Sequence, residues 1–383
     1  MKNYSVLFRI HKHVYVFLFS LILVIKMFFF ALVYYTGNQF FGGGNDSDYY
    51  HAYVQGLDNV AVNIWPVILR WLNDIGLYSR EGVGLFLKFL VVLIIPLLVA
   101  RLAFVKDSRL YGKAFWMLAC IISAYPTLVF LATDIYRDVV MLFIWCLGLF
   151  VYKWMFEARL LRRKVVYFLL GLCFSWVLFE FRPYLGLGYL GALLFSGFYR
   201  VSKHYFLITM LLWTSGLFVL YMLGLLEPIL RYRNMFLDGT LQGGSNIGIE
   251  FSSTASFLPD FLQSLIYQLA GVFFVNLPTV IVFVAESVLF LLALIYVFQN
   301  KRYADKFVNC LFVFFIAYSS IWLLGNDNMG SATRLRMFNY ISVYLAFFIV
   351  LQNKYKAELQ FGSGRSASNE IIQPTVPSVC SLG

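Results

Sequence analysis

Long apolar stretches, separated by short polar segments, recur along the chain from Val14 to Leu351. An apolar stretch of about 20 residues has the length of a helix that crosses a membrane, whereas the strands of a membrane β-barrel alternate polar and apolar residues. The pattern therefore predicts an all-α fold, a polytopic bundle of about ten transmembrane helices. The predicted spans are residues 14–36, 84–105, 114–132, 137–156, 165–181, 184–199, 204–226, 279–298, 307–325 and 337–352, with a further span near 262–276 as an alternative.

Two polar segments between predicted spans are long enough to have structure of their own, residues 37–83 and 227–262. The first contains a helical pattern in which Ile64, Ile68 and Ile75 lie on one face with tryptophans beside them. This helix is too polar to cross a bilayer, and an amphipathic helix of this kind fits the membrane interface. The second segment is rich in Gly, Ser and Asn, a composition typical of a mobile loop.

The chain is predicted to form a single integral-membrane domain over residues 1–355. No small-residue cleavage site follows the first apolar segment, so this segment is expected to remain as a membrane anchor. Residues 356–383 are rich in Ser and Gly, and they predict a disordered cytoplasmic tail.

Lysine and arginine are unevenly distributed among the loops. With the N-terminus on the cytoplasmic side, twenty lie in segments on that side and eight on the other, which is the bias expected of cytoplasmic loops. Both termini are thus predicted inside. The net charge of +11 is explained by basic loops that meet anionic membrane lipid, so the sequence gives no reason to expect a nucleic-acid partner.

The eight basic residues on the predicted outer face are all arginine, whereas the twenty on the inner face include eleven lysines. Arginine presents a planar fork of donors that binds phosphate or carboxylate at two points. The bias indicates that an anionic ligand is handled on the outer face.

Acids and arginines recur at four predicted span ends on this outer face. A single site of this kind is most simply a solvated helix end or a salt bridge between helices. Charges at this depth are costly to bury, however, and four such sites together could form a cleft. The segments are "NDSDYYH" with Asp46, Asp48 and His51, "TDIYRD" with Asp134, Arg137 and Asp138, "FEFRPY" with Glu180 and Arg182, and "NDNMGSATRLR" with Asp327, Arg334 and Arg336.

A cleft of carboxylates and arginines suits the transfer of a sugar away from a phosphate leaving group. ATP and nucleotide sugars are absent outside the bacterial inner membrane, so an activated substrate must arrive attached to lipid. A carboxylate can take the proton of an acceptor hydroxyl, and cations stabilise the departing phosphate. The sequence therefore predicts a multi-pass protein of the bacterial inner membrane with an extracytoplasmic active face.

Three segments resemble bacterial polysaccharide polymerases of the O-antigen-polymerase type, and they follow one another in the same order as in that group. They are "AYPTLVFLATDIYRDVVMLFIW", "FRPYLGLGYL" and "SATRLRMFNYISVYLAFFIV". In addition, the "DSD" followed by "YYHAY", next to an interfacial helix, resembles membrane glycosyltransferases of the GT-C type. The likeness covers most of residues 37–352.

The resemblance implies polymerisation of lipid-linked repeat units for O-antigen, capsule or exopolysaccharide. Donor and acceptor would be glycans on undecaprenyl pyrophosphate, with a chain-length regulator and a flippase as protein partners. The implied catalytic candidates are Asp46, Asp48, Asp138 and His51. The implied pyrophosphate ligands are Arg137, Arg182, Arg334 and Arg336, with Arg231 and Arg233 of the second long loop.

Other functions fit parts of the pattern. The long first loop favours a GT-C glycosyltransferase with a polyprenyl-phosphate-sugar donor, in which Asp46 and Asp48 could give two oxygen ligands to Mg²⁺ or Mn²⁺. A transporter of lipid-linked glycans would depend on Glu286, an acid well inside a predicted span, although the sequence lacks the internal repeat that transporters commonly show. A purely structural scaffold would leave the clustered charges unexplained.

Overall fold

The structure of the protein is a computed structural model that describes residues 11–37, 45–104, 111–195, 206–237, 245–274 and 276–370. This part of the chain is helical and contains no β-strand, which confirms the all-α prediction. We number the helices in chain order: α1 Lys12–Thr36, α2 Asn45–Val54, α3 Ile64–Asp74, α4 Arg80–Ala103, α5 Tyr111–Ser123, α6 Pro126–Leu131, α7 Arg137–Glu157, α8 Leu161–Phe181, α9 Pro183–Phe195, α10 Phe206–Met222, α11 Glu227–Leu237, α12 Phe257–Ser264, α13 Leu277–Gln299, α14 Lys306–Gly325 and α15 Met329–Glu370.

Seven of the described helices are long and apolar enough to cross a membrane, namely α1, α4, α7, α8, α13, α14 and α15. An eighth crossing results if α10 and α11 count as one bent span. The chain therefore has the helices of a multi-pass membrane protein. Local π-helical turns interrupt α4 at Leu90–Ile94 and α13 at Phe283–Ser287 without ending either helix.

The predicted count of ten spans is not reached in the described residues, for local reasons. The predicted span 114–132 is broken after Ser123, because Pro126 lacks the N–H that a continuous helix would need. Helix α9 has only 13 residues, and residues 196–199 of its predicted span lie outside the described part. Helices α10 and α11 meet at 79°.

The alternative span near 262–276 does not form a crossing helix either. Helix α12 continues only through a π-helical turn at Leu265–Leu269, and the chain then turns at Gly271 with φ of +76°. A Cβ atom there would lie 2.2 Å from Nη1 of Arg336. Glycine is therefore required both by the left-handed backbone and by the neighbouring guanidinium.

Helices α14 and α15 form the centre of the bundle. In their apolar stretches 72% and 89% of the residues are buried, against 17% in α1. Helix α14 packs on α9 and α15, while α15 also packs on α4 and α13. Apolar helices that expose most of their side chains are suited to contact with lipid, so α1 and α8 form the outer layer.

The hairpin of α8 and α9 carries Arg182 at its tip. The backbone N–H of Arg182 donates to the carbonyl oxygen of Leu178, and Pro183 then begins the next helix. A Cβ atom on Gly186 would lie 2.5 Å from the backbone of Phe179. Only glycine lets the two helices approach so closely, and this close packing fixes the position of Arg182.

The first long polar segment contains two helices, α2 and α3. The predicted helix over Ile64–Ile75 is formed, from Ile64 to Asp74. Trp65 and Leu69 are buried against the bundle, whereas Trp71 is exposed. The helix thus has one face packed on protein and one face open, and its position in a membrane interface stays a prediction.

The last helix extends beyond the predicted membrane domain. Helix α15 continues to Glu370, so the segment predicted as a disordered tail from residue 356 begins as helix. Residues 371–383 lie outside the described part of the chain.

Arg233 on α11 ties the second long loop to the turn before α15. Its Nε donates to the carbonyl oxygen of Ile249 at 2.7 Å, and its Nη1 donates to those of Leu323 at 2.9 Å and Asn326 at 2.7 Å. Nη2 donates to Oδ1 of Asp327 at 2.5 Å, and this carboxylate also accepts from two backbone N–H groups of the loop. Both side chains are fully buried. Such an ion pair is tolerated because hydrogen bonds satisfy its remaining atoms.

We predict that Arg233→Met lowers the free energy of unfolding by about 3–5 kcal/mol, because it leaves the Asp327 carboxylate buried without its counter-ion. Chemical unfolding in mild detergent measures the change. Arg231→Met, at an exposed position on the same helix, is the control and should change stability little. The double variant Arg233→Met with Asp327→Leu should recover most of the loss, and equal losses in both arginine variants would contradict the assignment.

Candidate functional site

Charged side chains from four separate segments meet at one end of the bundle. We call Asp46, Arg137, Asp138, Arg182 and Arg334 the arginine–carboxylate cluster. Arg334 donates a hydrogen bond to Asp46, and Nη1 of Arg182 lies 3.2 Å from Oδ1 of Asp138. Arg137 and Arg334 are also close enough to act electrostatically on Asp138. The structure thus brings together five of the residues that the sequence singled out.

Helix geometry explains how the cluster is positioned. Asp46 and Asp138 lie in the first turns of α2 and α7, where the positive end of the helix dipole favours a carboxylate. Arg137 is the first residue of α7, and its Nη1 donates to the carbonyl oxygen of Phe181 at 3.1 Å. That bond caps the end of α8 beside Arg182.

The cluster is not saturated with hydrogen bonds. Nε of Arg137, Nη1 of Arg182 and Oδ1 of Asp138 are buried without a hydrogen-bond partner. The last two are close enough for an ion pair but are not aligned as a hydrogen bond. Buried polar atoms are nearly always satisfied, so such atoms indicate a missing water or ligand. The unsatisfied nitrogens of Arg137 and Arg182 are donors that an anion could accept, whereas Oδ1 of Asp138 needs a donor such as water.

Two buried tyrosines border the cluster, and the sequence analysis missed both. The ring centroid of Tyr136 lies 5.2 Å from the guanidinium carbon of Arg334. Burial raises the pKa of Tyr50 to about 12, so its hydroxyl remains a neutral donor at physiological pH. Helical spacing could have revealed Tyr50, because it follows Asp46 by four residues and therefore shares its face.

A second ionic group lies beside the cluster. Arg80 at the start of α4 donates through Nε and Nη2 to the two oxygens of Asp134, at 3.0 and 2.5 Å, and through Nη2 to Asp48 at 2.7 Å. Burial opposes ionisation of Asp134, but the hydrogen bonds from Arg80 and from the N–H of Ile135 outweigh it and hold the pKa of Asp134 below its ordinary value. Asp48 is thus the partner of a structural arginine, and the sequence did not single out Arg80.

Candidates two residues apart in sequence diverge in the structure. Residues at this spacing lie about 200° apart around a helix. Asp46 faces Arg334 while Asp48 faces Arg80. Arg334 joins the cluster, whereas Arg336 lies inside the bundle with its Nη2 3.7 Å from Oε2 of Glu286.

Arg336 is therefore not part of the cluster. Oε1 of its partner Glu286 accepts a hydrogen bond from the backbone N–H of Thr127 at 2.7 Å. The position of Arg336 near the start of the last predicted span had predicted a place at the outer surface. The helix instead turns this side chain toward α13.

The remaining candidates also lie apart from the cluster. Nδ1 of His51 is 2.8 Å from the hydroxyl of Tyr78, a group whose pKa burial raises to about 12. Arg231 is exposed on α11 and forms no ion pair among the described residues. Every nitrogen of the Arg233 guanidinium is bonded to protein.

The two acids considered as metal ligands do not share a site. Asp46 and Asp48 bind different arginines. Among the residues that the structure describes, no group of three or more His, Cys, Asp or Glu side chains is placed to hold a metal ion. The geometry therefore offers no reason to assign Mg²⁺ or Mn²⁺ to Asp46 and Asp48.

Comparison with protein-family models, with curated proteins and with solved structures finds no match to this chain.

We predict that the contribution of Asp134 to stability depends on pH. Its pKa is lowered in the folded protein, so the ion pair with Arg80 stabilises the fold above the ordinary aspartate pKa and is lost as the pH falls through the lower, folded value. The difference in unfolding temperature between the wild type and Asp134→Asn should be largest near neutral pH and shrink in acid. Asp74→Asn, at an exposed position, is the control. A difference for Asp134→Asn that is the same at every pH would contradict the ion pair.

Proposed function

We propose that this chain is a membrane glycosyltransferase that polymerises lipid-linked oligosaccharide repeat units at the outer face of the bacterial inner membrane. The products would be O-antigen, capsule or exopolysaccharide. The observation that carries the proposal is the arginine–carboxylate cluster, an incompletely bonded, net cationic group at one end of an apolar helical bundle. The sequence resemblance to polysaccharide polymerases supports it.

The reaction needs two functions from the protein. The acceptor hydroxyl oxygen forms a bond to the anomeric carbon of the donor glycan, and the bond from that carbon to the pyrophosphate oxygen breaks. The electron pair leaves with the undecaprenyl pyrophosphate, and the hydroxyl proton passes to a base. Arginines that bind the pyrophosphate stabilise the charge that develops on it, and a carboxylate takes the proton.

The two carboxylates of the cluster differ in solvent exposure, and this difference separates a catalytic base from a structural charge. The side chain of Asp138 is 2% exposed, whereas that of Asp46 is 49% exposed. An acceptor sugar can reach Asp46 but not Asp138. We therefore assign Asp46 as the base, and Asp138 as the buried charge that positions Arg137, Arg182 and Arg334.

The arginines of the cluster have more hydrogen-bond donors than their protein partners use, and a pyrophosphate could accept from the remaining donors. Arg334 and Arg182 each have one carboxylate partner, and Arg137 has only a backbone carbonyl. Each guanidinium has five N–H donors in a planar fork. The unused donors provide several charge-assisted hydrogen bonds for the oxygens of the leaving group.

Exposed apolar side chains follow the helix that supplies Asp46 along the chain. The connections that flank α3 carry Leu57, Val60, Val62 and Leu77, all largely exposed to solvent. Such residues are suited to the headgroup boundary of a bilayer. A donor anchored by its polyprenyl chain would reach the cluster from that boundary.

The first experiment is a gel of lipid-linked and surface glycans from cells without this protein and from complemented cells. Accumulation of single-repeat material with loss of the long ladder supports the polymerase. A ladder that remains, with each band shifted by one sugar, instead identifies a GT-C transferase that decorates the glycan. Glu286→Gln tests the transporter alternative, because only a proton-coupled carrier would depend on Glu286 while tolerating loss of the outer arginines.

We predict that Arg182→Lys keeps membrane insertion but strongly reduces ladder formation. Lysine retains the charge and loses the planar fork that could bond Asp138 and a phosphate together. Arg70→Lys is the control, because Arg70 stacks on Tyr53 in the same region and lies outside the cluster. Normal ladders from Arg182→Lys would show that this arginine serves helix packing only.

We also predict that Asp46→Asn reduces the polymerisation rate by at least about 100-fold, the usual contribution of a general base. Asp48→Asn should have a smaller effect, because Asp48 serves the Arg80 ion pair. Rates are compared with purified lipid-linked repeat units in proteoliposomes. The opposite order of the two effects would assign the base to Asp48.

A further inference from the structure

Two neighbouring cavities lie at the end of the bundle opposite the arginine–carboxylate cluster. Helix α7 begins in the cluster at Arg137 and reaches the cavities at Glu157, the last of its 21 residues. This length separates the two ends by about 30 Å, the thickness of a bilayer core. The cavities and the cluster therefore lie at opposite ends of the bundle.

The larger cavity has a volume of about 320 Å³ and lies where α7, α8 and α14 end or begin. Its charged residues are Lys164 and Lys306. The apolar lining residues are Met155, Phe156, Val165 and Phe168. It thus combines cationic groups with a hydrocarbon wall.

The smaller cavity, about 230 Å³, shares Phe156 and Lys306 with the larger one. It also contains Glu157 and Asp305, so its charges are mixed. An anion is better accommodated in the larger cavity, which has no acidic lining residue.

Neither lysine of the larger cavity has its charge neutralised by an acidic partner. Neither forms an ion pair with any described residue. Asp305, the neighbour of Lys306 in sequence, uses its Oδ1 to accept the backbone N–H of Val308 at 2.8 Å. The two lysines also lie in the first turns of α14 and α8, where the helix dipole adds to a positive potential.

We propose that the larger cavity binds an anionic phospholipid, with its headgroup phosphate between Lys164 and Lys306 and an acyl chain along Val165 and Phe168. Val165 is about half exposed on the outer surface of α8, so the wall is open to lipid. The lysine-rich loops predict that this end faces the cytoplasm, where the leaflet is anionic. The assignment does not depend on the proposed glycosyl transfer.

Native mass spectrometry of the purified full-length chain in detergent tests the site, with phosphatidylglycerol and phosphatidylcholine as probes. The wild type should bind phosphatidylglycerol more tightly than phosphatidylcholine. Lys164→Gln and Lys306→Gln should each weaken phosphatidylglycerol binding about fivefold, and the double variant about 25-fold. Both lysines are exposed, so the variants should unfold at the wild-type temperature in phosphatidylcholine nanodiscs.

Arg163→Gln is the matched control. It removes one positive charge beside Lys164 from a residue that lines neither cavity, and it should leave phosphatidylglycerol binding within about twofold of the wild type. Equal weakening by Arg163→Gln would show general attraction to a basic surface and would overturn the site. Inorganic phosphate that displaces the bound lipid at comparable concentration would overturn it as well, because the pocket would then select phosphate without the acyl chain.

Discussion

The buried bond between Arg233 and Asp327 holds the turn that precedes the last helix, and the proposed active site includes a residue of that helix. The two side chains join α11, the second long loop and the turn before α15. Helix α15 in turn carries Arg334 into the cluster. Both side chains are fully buried in protein, so water does not replace these bonds. A small displacement of this turn would therefore separate Arg334 from Asp46.

The two candidate sites, at opposite ends of the bundle, contain different cations. Arginines with planar forks, held by neighbouring carboxylates, form the end that contains the cluster. Lysines without acidic partners line the larger cavity at the other end. A fixed fork suits a leaving group that needs a defined orientation, whereas a mobile ammonium group suits a lipid headgroup that exchanges. Three of the arginines in the predicted outer loops are those that the structure gathers in the cluster.

The sequence predicted the all-helical fold, and it grouped side chains that the structure brings close together. Apolar length identifies long spans such as α7 and α14, but it cannot show that Pro126 breaks a span or that α10 and α11 bend by 79°. Distance from a span end grouped Asp46, Asp138, Arg182 and Arg334, which meet because their helices end at one depth. Distance from a span end does not contain the rotation around the helix axis, and this rotation separates Arg336 from Arg334.

Incomplete hydrogen bonding alone does not identify a ligand site. Arg336 also has two buried nitrogens without a partner, yet it and Glu286 are almost completely buried. The Arg233 pair shows the opposite case, a buried charge with its bonds complete and a purely structural position. The cluster differs from both, because it combines unbonded buried donors with a half-exposed carboxylate at its edge. The unbonded donors can bind a ligand, and the exposed carboxylate leaves a side from which the ligand can enter. This combination favours the cluster over the buried pair of Arg336 and Glu286 as the candidate active site.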